Sequence, residues 1–358
     1  MLIETRIGRV AKILSVRPGL AELEVEVDGR ISKAVAYILL TGEPVEGDQV
    51  LLNTTATSLK LGSGGYDYVM VNMTDPQHDL AWKGHIMKMR YTPWQCRVLS
   101  VEEEESPHRE LMEQADSLNG CPVLVGTLHS MLAPLCACLA DHGLSSAYVM
   151  TDAASLPMYW SGTVHQLRQA GLLKGTVTTG NAFGGELEAV NIYSGMLAAS
   201  AVYKPDVIIV AMGPGIVGTG TRWGFSGIEQ GSILDAVDTL GGIPLAVPRV
   251  SFADQRERHQ GISHHTLTVL AKVCKSTVKV PLPILNGEKQ SLIQDQIDQY
   301  GLDQKHELIY RDGSLIDHVF ERYGLKTTTM GRGRQEDHEF FQTLGAAAQA
   351  ASELVANV

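Results

Sequence analysis

From Gly120 onward, short and mostly apolar runs alternate with longer stretches in which apolar residues recur every three or four positions. The runs lie at 122–125, 147–150, 176–179, 207–212, 245–250 and 278–282, with weaker ones at 308–310 and 327–330. Continuous apolar runs rich in β-branched residues predict strands covered on both faces, as in a parallel sheet. The periodic stretches predict helices at about 129–141, 156–170, 187–203, 226–240, 264–275, 291–300 and 314–323, and an alanine-rich helix from about 337 to near Val358. This alternation defines the α/β class and predicts a mostly parallel, doubly wound, Rossmann-like sheet. Eight units also allow a (β/α)8-like barrel, but polar last strands suit the edge of an open sheet better than a barrel wall.

The first hundred residues carry a different period. Leu23, Val25 and Val27 alternate with Glu22, Glu24 and Glu26 and run into Asp28-Gly29, a hairpin signal for a half-exposed antiparallel strand. Further short strands are expected at 34–40, 49–53, 67–72, 85–91 and 96–101, so residues 1–101 read as a small β-barrel or rolled β-sheet. An acidic break at 102–105 and a helix near 108–118 mark a linker, 102–119, ahead of an α/β ligand-binding domain at 120–358.

The run 207–212 feeds directly into Gly213-Pro-Gly215-Ile-Val-Gly218-Thr-Gly220-Thr-Arg222. Gly213, Gly215 and Gly218 have the spacing and position of the dinucleotide fingerprint. The remainder of that fingerprint does not follow. Gly220, Gly224 and Gly227 keep the chain irregular where a Rossmann helix begins, and the nearest acidic residue, Asp254, lies well beyond the usual twenty or so residues. A glycine loop whose N–H groups converge on a phosphate or carboxylate is the better expectation. The plainer alternative is a glycine loop that binds nothing.

Both α/β architectures place ligands at the carboxyl ends of the strands. Those ends carry His129, Asp152, Glu186, Arg222, and then Arg249, Asp254, Arg256, Arg258, His259, His264 and His265, with Gly331-Arg332-Gly333-Arg334 after the last run. Gly213, Gly215, Gly218, Gly220, Arg222, Asp254, Arg256 and Arg258 are the expected ligand-binding residues, since amides and guanidinium groups together suit an anion. His129, Asp152, Glu186 and His264 are the candidates for general acid or base. Against this stand ion pairing of the arginines with Asp254, Glu257 or Glu229, and His129 as a helix-start residue.

No metal ligands are assigned. Adjacent histidines on a helix diverge by about 100°, and a five-residue spacing by about 140°, so His259, His264 and His265 converge only if this stretch is irregular. Gly224-Phe-Ser226-Gly227 misses the nucleophile elbow by one position, leaving Ser226 as a helix cap. Cys136 and Cys138 point to roughly opposite sides of a helix and read as small buried hydrophobes.

Charge narrows the partners. With 29 basic against 40 acidic residues, net −11, neither nucleic acid nor an anionic membrane is the expected partner, whereas a small anionic ligand remains open. No apolar run approaches the 18 or so residues of a membrane span, and the first six residues lack the features of a signal peptide. Five scattered cysteines fit a reducing compartment, so a cytoplasmic location is expected. The alanine-rich stretch 344–355 allows close helix packing, either inside the domain or across the two-fold axis of a homodimer.

Three motifs carry a resemblance: Asp254-Gln-Arg256-Glu-Arg258-His259 followed by Ser263-His264-His265-Thr266, the glycine loop from Gly213 to Thr221, and Asn181-Ala-Phe-Gly-Gly-Glu186-Leu-Glu-Ala-Val-Asn191. Together they resemble a bacterial domain-of-unknown-function family, number three-eight-six-six, found mainly in Gram-positive lineages, over most of the chain. The resemblance implies a cytosolic bacterial protein and supplies neither an activity nor a cofactor. The residues themselves suggest an enzyme acting on a phosphorylated or nucleotide-like small molecule by hydrolysis or group transfer. The alternative is a non-catalytic sensor of a nucleotide or metabolite.

Overall fold

In the alternating segment Leu23 and Val25 are buried while Glu22, Glu24 and Glu26 reach toward solvent, as a strand with one wet face requires. This is a computed structural model; it describes residues 2–80 and 83–356. The expected end of the terminal helix, near Val358, lies outside the described residues. The chain forms two units, Met1–Val98 and Leu99–Val358.

In the first unit β1 (Thr5–Arg17), β2 (Leu20–Val27), β3 (Arg30–Tyr37), β4 (Gln49–Asn53) and β5 (Asp67–Asn72) close into a barrel in the order β1-β2-β3-β5-β4. Asp28 and Gly29 both take positive φ, 49° and 73°, the conformation of a tight hairpin turn. Register shifts after Val10 and Ile13 bend the long β1 so that it pairs with β2 on one side and β4 on the other. Val10, Leu23, Val25, Val50, Leu52 and Val69 fill the interior. The last two expected strands are shorter than their patterns, β6 (Ile86–Lys88) and β7 (Cys96–Val98), and form a separate antiparallel ribbon.

The second unit contains β8 (Pro122–Val125), β9 (Ser146–Thr151), β10 (Gly175–Thr178), β11 (Leu187–Glu188), β12 (Val207–Met212), β13 (Ile243–Ala246), β14 (Val250–Ser251), β15 (Gly261–Ile262), β16 (Lys279–Pro283) and β17 (Glu307–Arg311). Eight of these form one parallel sheet in the order β11-β10-β9-β12-β8-β13-β16-β17. The sheet is open, which corrects the barrel alternative: β17 is only partly covered, as an edge strand is. The polar stretch expected as the last strand is instead a turn in which Thr329 and Arg332 exchange backbone hydrogen bonds around Met330 and Gly331. The eighth strand is β11, at the opposite edge, inside a stretch expected to be helical from 187. Asn191 accounts for the difference. Its side chain accepts from the amides of Tyr193 and Ser194 and starts the helix only at Ile192.

Helices cover both faces of the sheet. Val207, Ile209 and Ala211 pack with Leu132–Asp141 and the terminal helix His338–Ala356, whereas Ile208 and Val210 pack with Ile192–Ala198 and Gln230–Thr239. β8 and β12 are neighbours, yet the chain leaves β8 over one face toward β9 and leaves β12 over the other toward β13. A crevice therefore opens above their carboxyl ends, where strand connections diverge. Among the described residues no helix is long and apolar enough to cross a membrane.

The alanine face of the terminal helix is used inside this unit, where Leu344, Ala347, Ala348 and Ala351 join the core with Phe340 and Phe341. Gly345 lies where a Cβ would run into the backbone of Gly313. Alanine ordinarily improves a helical glycine site by about 1 kcal/mol. Here the close backbone approach reverses the sign, and Gly345→Ala is expected to cost about 1–3 kcal/mol, seen as a lower urea midpoint at unchanged m value.

Candidate functional site

Beyond β12 the chain turns at Gly213, which has no room for a Cβ against the Ser155 carbonyl. The glycine-rich segment then folds into a small hairpin. Ser226 N donates to Val217 O (2.9 Å), Thr219 N to Gly224 O (2.8 Å), and Gly224 N to Thr221 Oγ1 (3.2 Å). Half of the loop is thus self-satisfied and structural. The amides of Gly215, Gly218 and Gly220, however, have no partner among the described residues, and Gly215 and Gly220 sit at φ of 105° and 80°. Gly218 faces His265, whose ring would lie 3.4 Å from an added Cβ.

Beyond β13, the ribbon β14–β15 carries out a chain segment and returns it, pairing Val250 with Ile262. Arg249 opens the segment and is buried, its Nη2 donating to Asp254 Oδ2 at 2.8 Å. Arg256 grips the same carboxylate through its amide (3.1 Å), Nε (2.9 Å) and Nη2 (2.8 Å). Arg332 approaches Asp254 at 3.7 Å and pairs with buried Asp337 at 2.9 Å, and Asp337 accepts a hydrogen bond from Ser251 Oγ. Hydrogen bonds from Arg256 hold the Asp254 carboxyl well below the usual carboxylate range, with Arg249 adding to the effect. A fourth guanidinium, Arg258, has no hydrogen-bond or ion-pair partner among the described residues; its Nη2 lies 3.6 Å from the Cβ position of Gly220. Three guanidinium groups thus pair with two carboxylates, and Arg258 pairs with neither.

These loops enclose a cavity of about 210 Å³. Thr127 and Leu128 from the end of β8, Val217, Gly218 and Gly220 from the hairpin, and Arg249, Arg256, Arg258, His259 and His265 from the segment after β13 line it. It therefore occupies the crevice that the strand order opens. His259 ends a short turn, Glu257–His259, and its Nδ1 accepts from Arg249 Nη1 (3.2 Å) and lies 2.8 Å from Ser263 Oγ. His265 stacks on Phe225 with ring centroids 3.9 Å apart, and His264 Nε2 is buried without a partner. Burial, reinforced by the neighbouring positive charges, pushes His259 down to about 3 and His265 to about 4, and lowers His264 as well. All three rings are neutral at neutral pH.

The other sequence candidates are distributed differently. His129 is enclosed in a network: its Nε2 lies 2.7 Å from Ser161 Oγ and its Nδ1 3.3 Å from the Tyr148 hydroxyl, which donates to the Ala211 and Met212 carbonyls. Burial lowers it to about 4. Asp152, at the end of β9, accepts from Asn181 N at 2.8 Å. Glu186 pairs with Arg168 and accepts from the amide of Thr176, so it lies beside the body of β10 and not beyond its carboxyl end. β10 is three strands from β8, about 14 Å at the usual strand spacing. Arg222 sits exposed near the tip of the hairpin, outside the cavity lining. Asp254 lies behind the arginines as their counter-ion.

Arg332 and Asp337 join the arrangement beyond the expected ligand-binding residues, and Arg249, an arginine of the rim, enters as a buried partner of Asp254; the Gly-Arg-Gly-Arg motif pointed to Arg332, and nothing local pointed to Asp337. Glu229, expected as an arginine partner, instead accepts from Thr151 Oγ1 and is pushed up by burial to about 7. The chain belongs to the family described as "Protein of unknown function (DUF3866)", which it matches over residues 33–348. No curated protein matches it.

The histidines make a pH prediction with a definite sign. Because His259 and His265 fold with values below the ordinary 6.5, the unfolded chain takes up protons that the folded chain refuses as pH falls. Their contribution is present above about pH 6.5 and lost as pH falls, toward about 4 for His265 and about 3 for His259. Urea midpoints measured from pH 7.5 to 4 are expected to fall across this window, and His265→Asn is expected to flatten the slope.

Proposed function

We propose that the cavity binds the phosphate of a small phosphorylated or nucleotide-like molecule. The observation that carries this reading is Arg258: a guanidinium without a counter-ion among the described residues, held beside Gly220 in a cavity that Gly218 also lines, both glycines having unpartnered amides. Guanidinium and amide donors gathered at one cavity mouth suit phosphate or carboxylate. A volume of about 210 Å³ suits a phosphoryl group with the rest of the molecule outside, since pockets that enclose a drug-sized ligand hold roughly 300–1,000 Å³. In this reading the unit is a doubly wound, Rossmann-like domain that uses its crevice for one phosphate. The dinucleotide pose is disfavoured because the helical segment after β12 begins only at Ser226, beyond the hairpin.

Binding without turnover is the better-supported form. Of the four acid–base candidates, His129 is locked in its network, Glu186 lies beside β10, and Asp152 is engaged by Asn181. His264 alone lies close to the cavity, packed against its lining histidines His259 and His265, which leaves hydrolysis or group transfer with a single candidate. The α/β domain carries the ligand in this reading, the acidic composition argues against a nucleic-acid partner, and the free, scattered cysteines suit a cytoplasmic setting.

Isothermal titration with inorganic phosphate and with a nucleoside monophosphate tests the site. Arg258→Ala is expected to weaken binding by about 1.5–3 kcal/mol, ten- to a hundredfold. Arg222→Ala is expected to titrate like the wild type. Absence of binding by either anion, or an Arg258→Ala protein indistinguishable from wild type, overturns the reading.

A further inference from the structure

We propose that His259, His264 and His265 form a transition-metal site of the zinc class. Their ligand nitrogens all lie within 4.8 Å of one another, the one such grouping of three among the described residues. Independent support comes from His264 Nε2, a buried ring nitrogen with no hydrogen-bond partner. A polar atom left bare in this way is costly unless something binds it.

The local fold explains how the three rings meet. They do not share one helix. His259 ends the turn Glu257–His259, the chain reverses through Gly261 at φ 67°, and Ser263 then caps the helix that His264 and His265 begin. Ring centroids of His259 to His264, His259 to His265 and His264 to His265 are 4.8, 5.1 and 4.2 Å apart. Zinc bound by imidazole sits about 2.0–2.1 Å from each nitrogen, a distance the rings reach by small side-chain rotations.

One outer contact, that with Ser263, marks out a nitrogen of His259 for the metal. Its Nδ1 is engaged by Ser263 Oγ at 2.8 Å, which leaves Nε2 for the metal. With a metal on Nε2, Nδ1 carries the ring proton and donates it to Ser263 Oγ, the outer-shell bond typical of ligating histidines. Arg249 then gives up its bond to Nδ1 and keeps its bond to Asp254. Imidazole nitrogens select zinc, cobalt or nickel over magnesium and calcium, which prefer oxygen. His259 and His265 line the cavity, so a ligand within it is placed to complete the shell. The surrounding guanidinium groups oppose a bare cation and favour an anionic fourth ligand such as hydroxide.

Equilibrium dialysis of chelator-stripped full-length protein against zinc, cobalt and magnesium chlorides tests this. One equivalent of zinc or cobalt is expected, with the visible absorption of four-coordinate cobalt, and no magnesium at the same concentration. Losing an outer-shell contact typically costs ten- to a hundredfold in affinity, so His264→Gln and His265→Gln are each expected to cost about a hundredfold or more. Melting curves taken without metal confirm that each variant is folded. Sub-stoichiometric uptake by the wild type, or affinity unchanged in both folded variants, overturns the site. No phosphate is present in these titrations, so their failure and a failure of anion binding are separable.

Discussion

Asp254 is the fixed point of the site. Arg249, Arg256 and Arg332 arrive from three places in the sequence and converge on one buried carboxylate. Burying such charges gains little net stability over apolar packing of similar volume, whereas removing one partner leaves an uncompensated buried charge. What the arrangement supplies is position. It fixes the segment between β14 and β15, and through Arg332, Asp337 and Ser251 it ties that segment to the start of the terminal helix. Arg258, His259 and His265 owe their places at the cavity to that anchorage.

The glycine hairpin depends on the same geometry from the other side. Its flanking bonds, Val217 to Ser226 and Thr219 to Gly224, fix the path, while Gly215 and Gly220 supply the positive φ that a side chain resists. The hairpin is therefore a rigid wall with a few amides left over, and not a loop wrapped wholly around an anion. That division explains why Gly218 and Gly220 reach the cavity while Arg222, near the tip, does not.

The legibility of the chain followed the range of the forces involved. Strand β12 has the ends its pattern predicts, because an unbroken apolar run has one stable use in a sheet covered on both faces. β11 was hidden: two residues carry no periodicity, and Asn191 cuts off a stretch that otherwise reads as helix. At the site, the arginine-rich segment after β13 was readable as rim, whereas the meeting of its histidines hung on an irregular chain, a condition that no local pattern conveys and that the reversal at Gly261 supplies. Asp337 lies 86 residues from Ser251, the residue it bonds. No local pattern conveys such a contact. Glu186 shows the opposite failure, a residue close in sequence to a strand end whose chain folds back along the strand.

The charge distribution bears on the proposed anion site. The chain carries a net charge of −11, yet the cavity concentrates guanidinium groups in excess of their carboxylates. Over distances beyond a Debye length of about 8 Å, the acidic surface is largely screened. A small anion that enters the crevice therefore meets the local field of Arg256 and Arg258 and not the global charge. An extended polyanion cannot escape the acidic surface in this way, because most of its phosphates remain against it. The same local field acts against a free cation at the three histidines, so the metal reading requires an anion beside the metal, whereas the phosphate reading requires no metal.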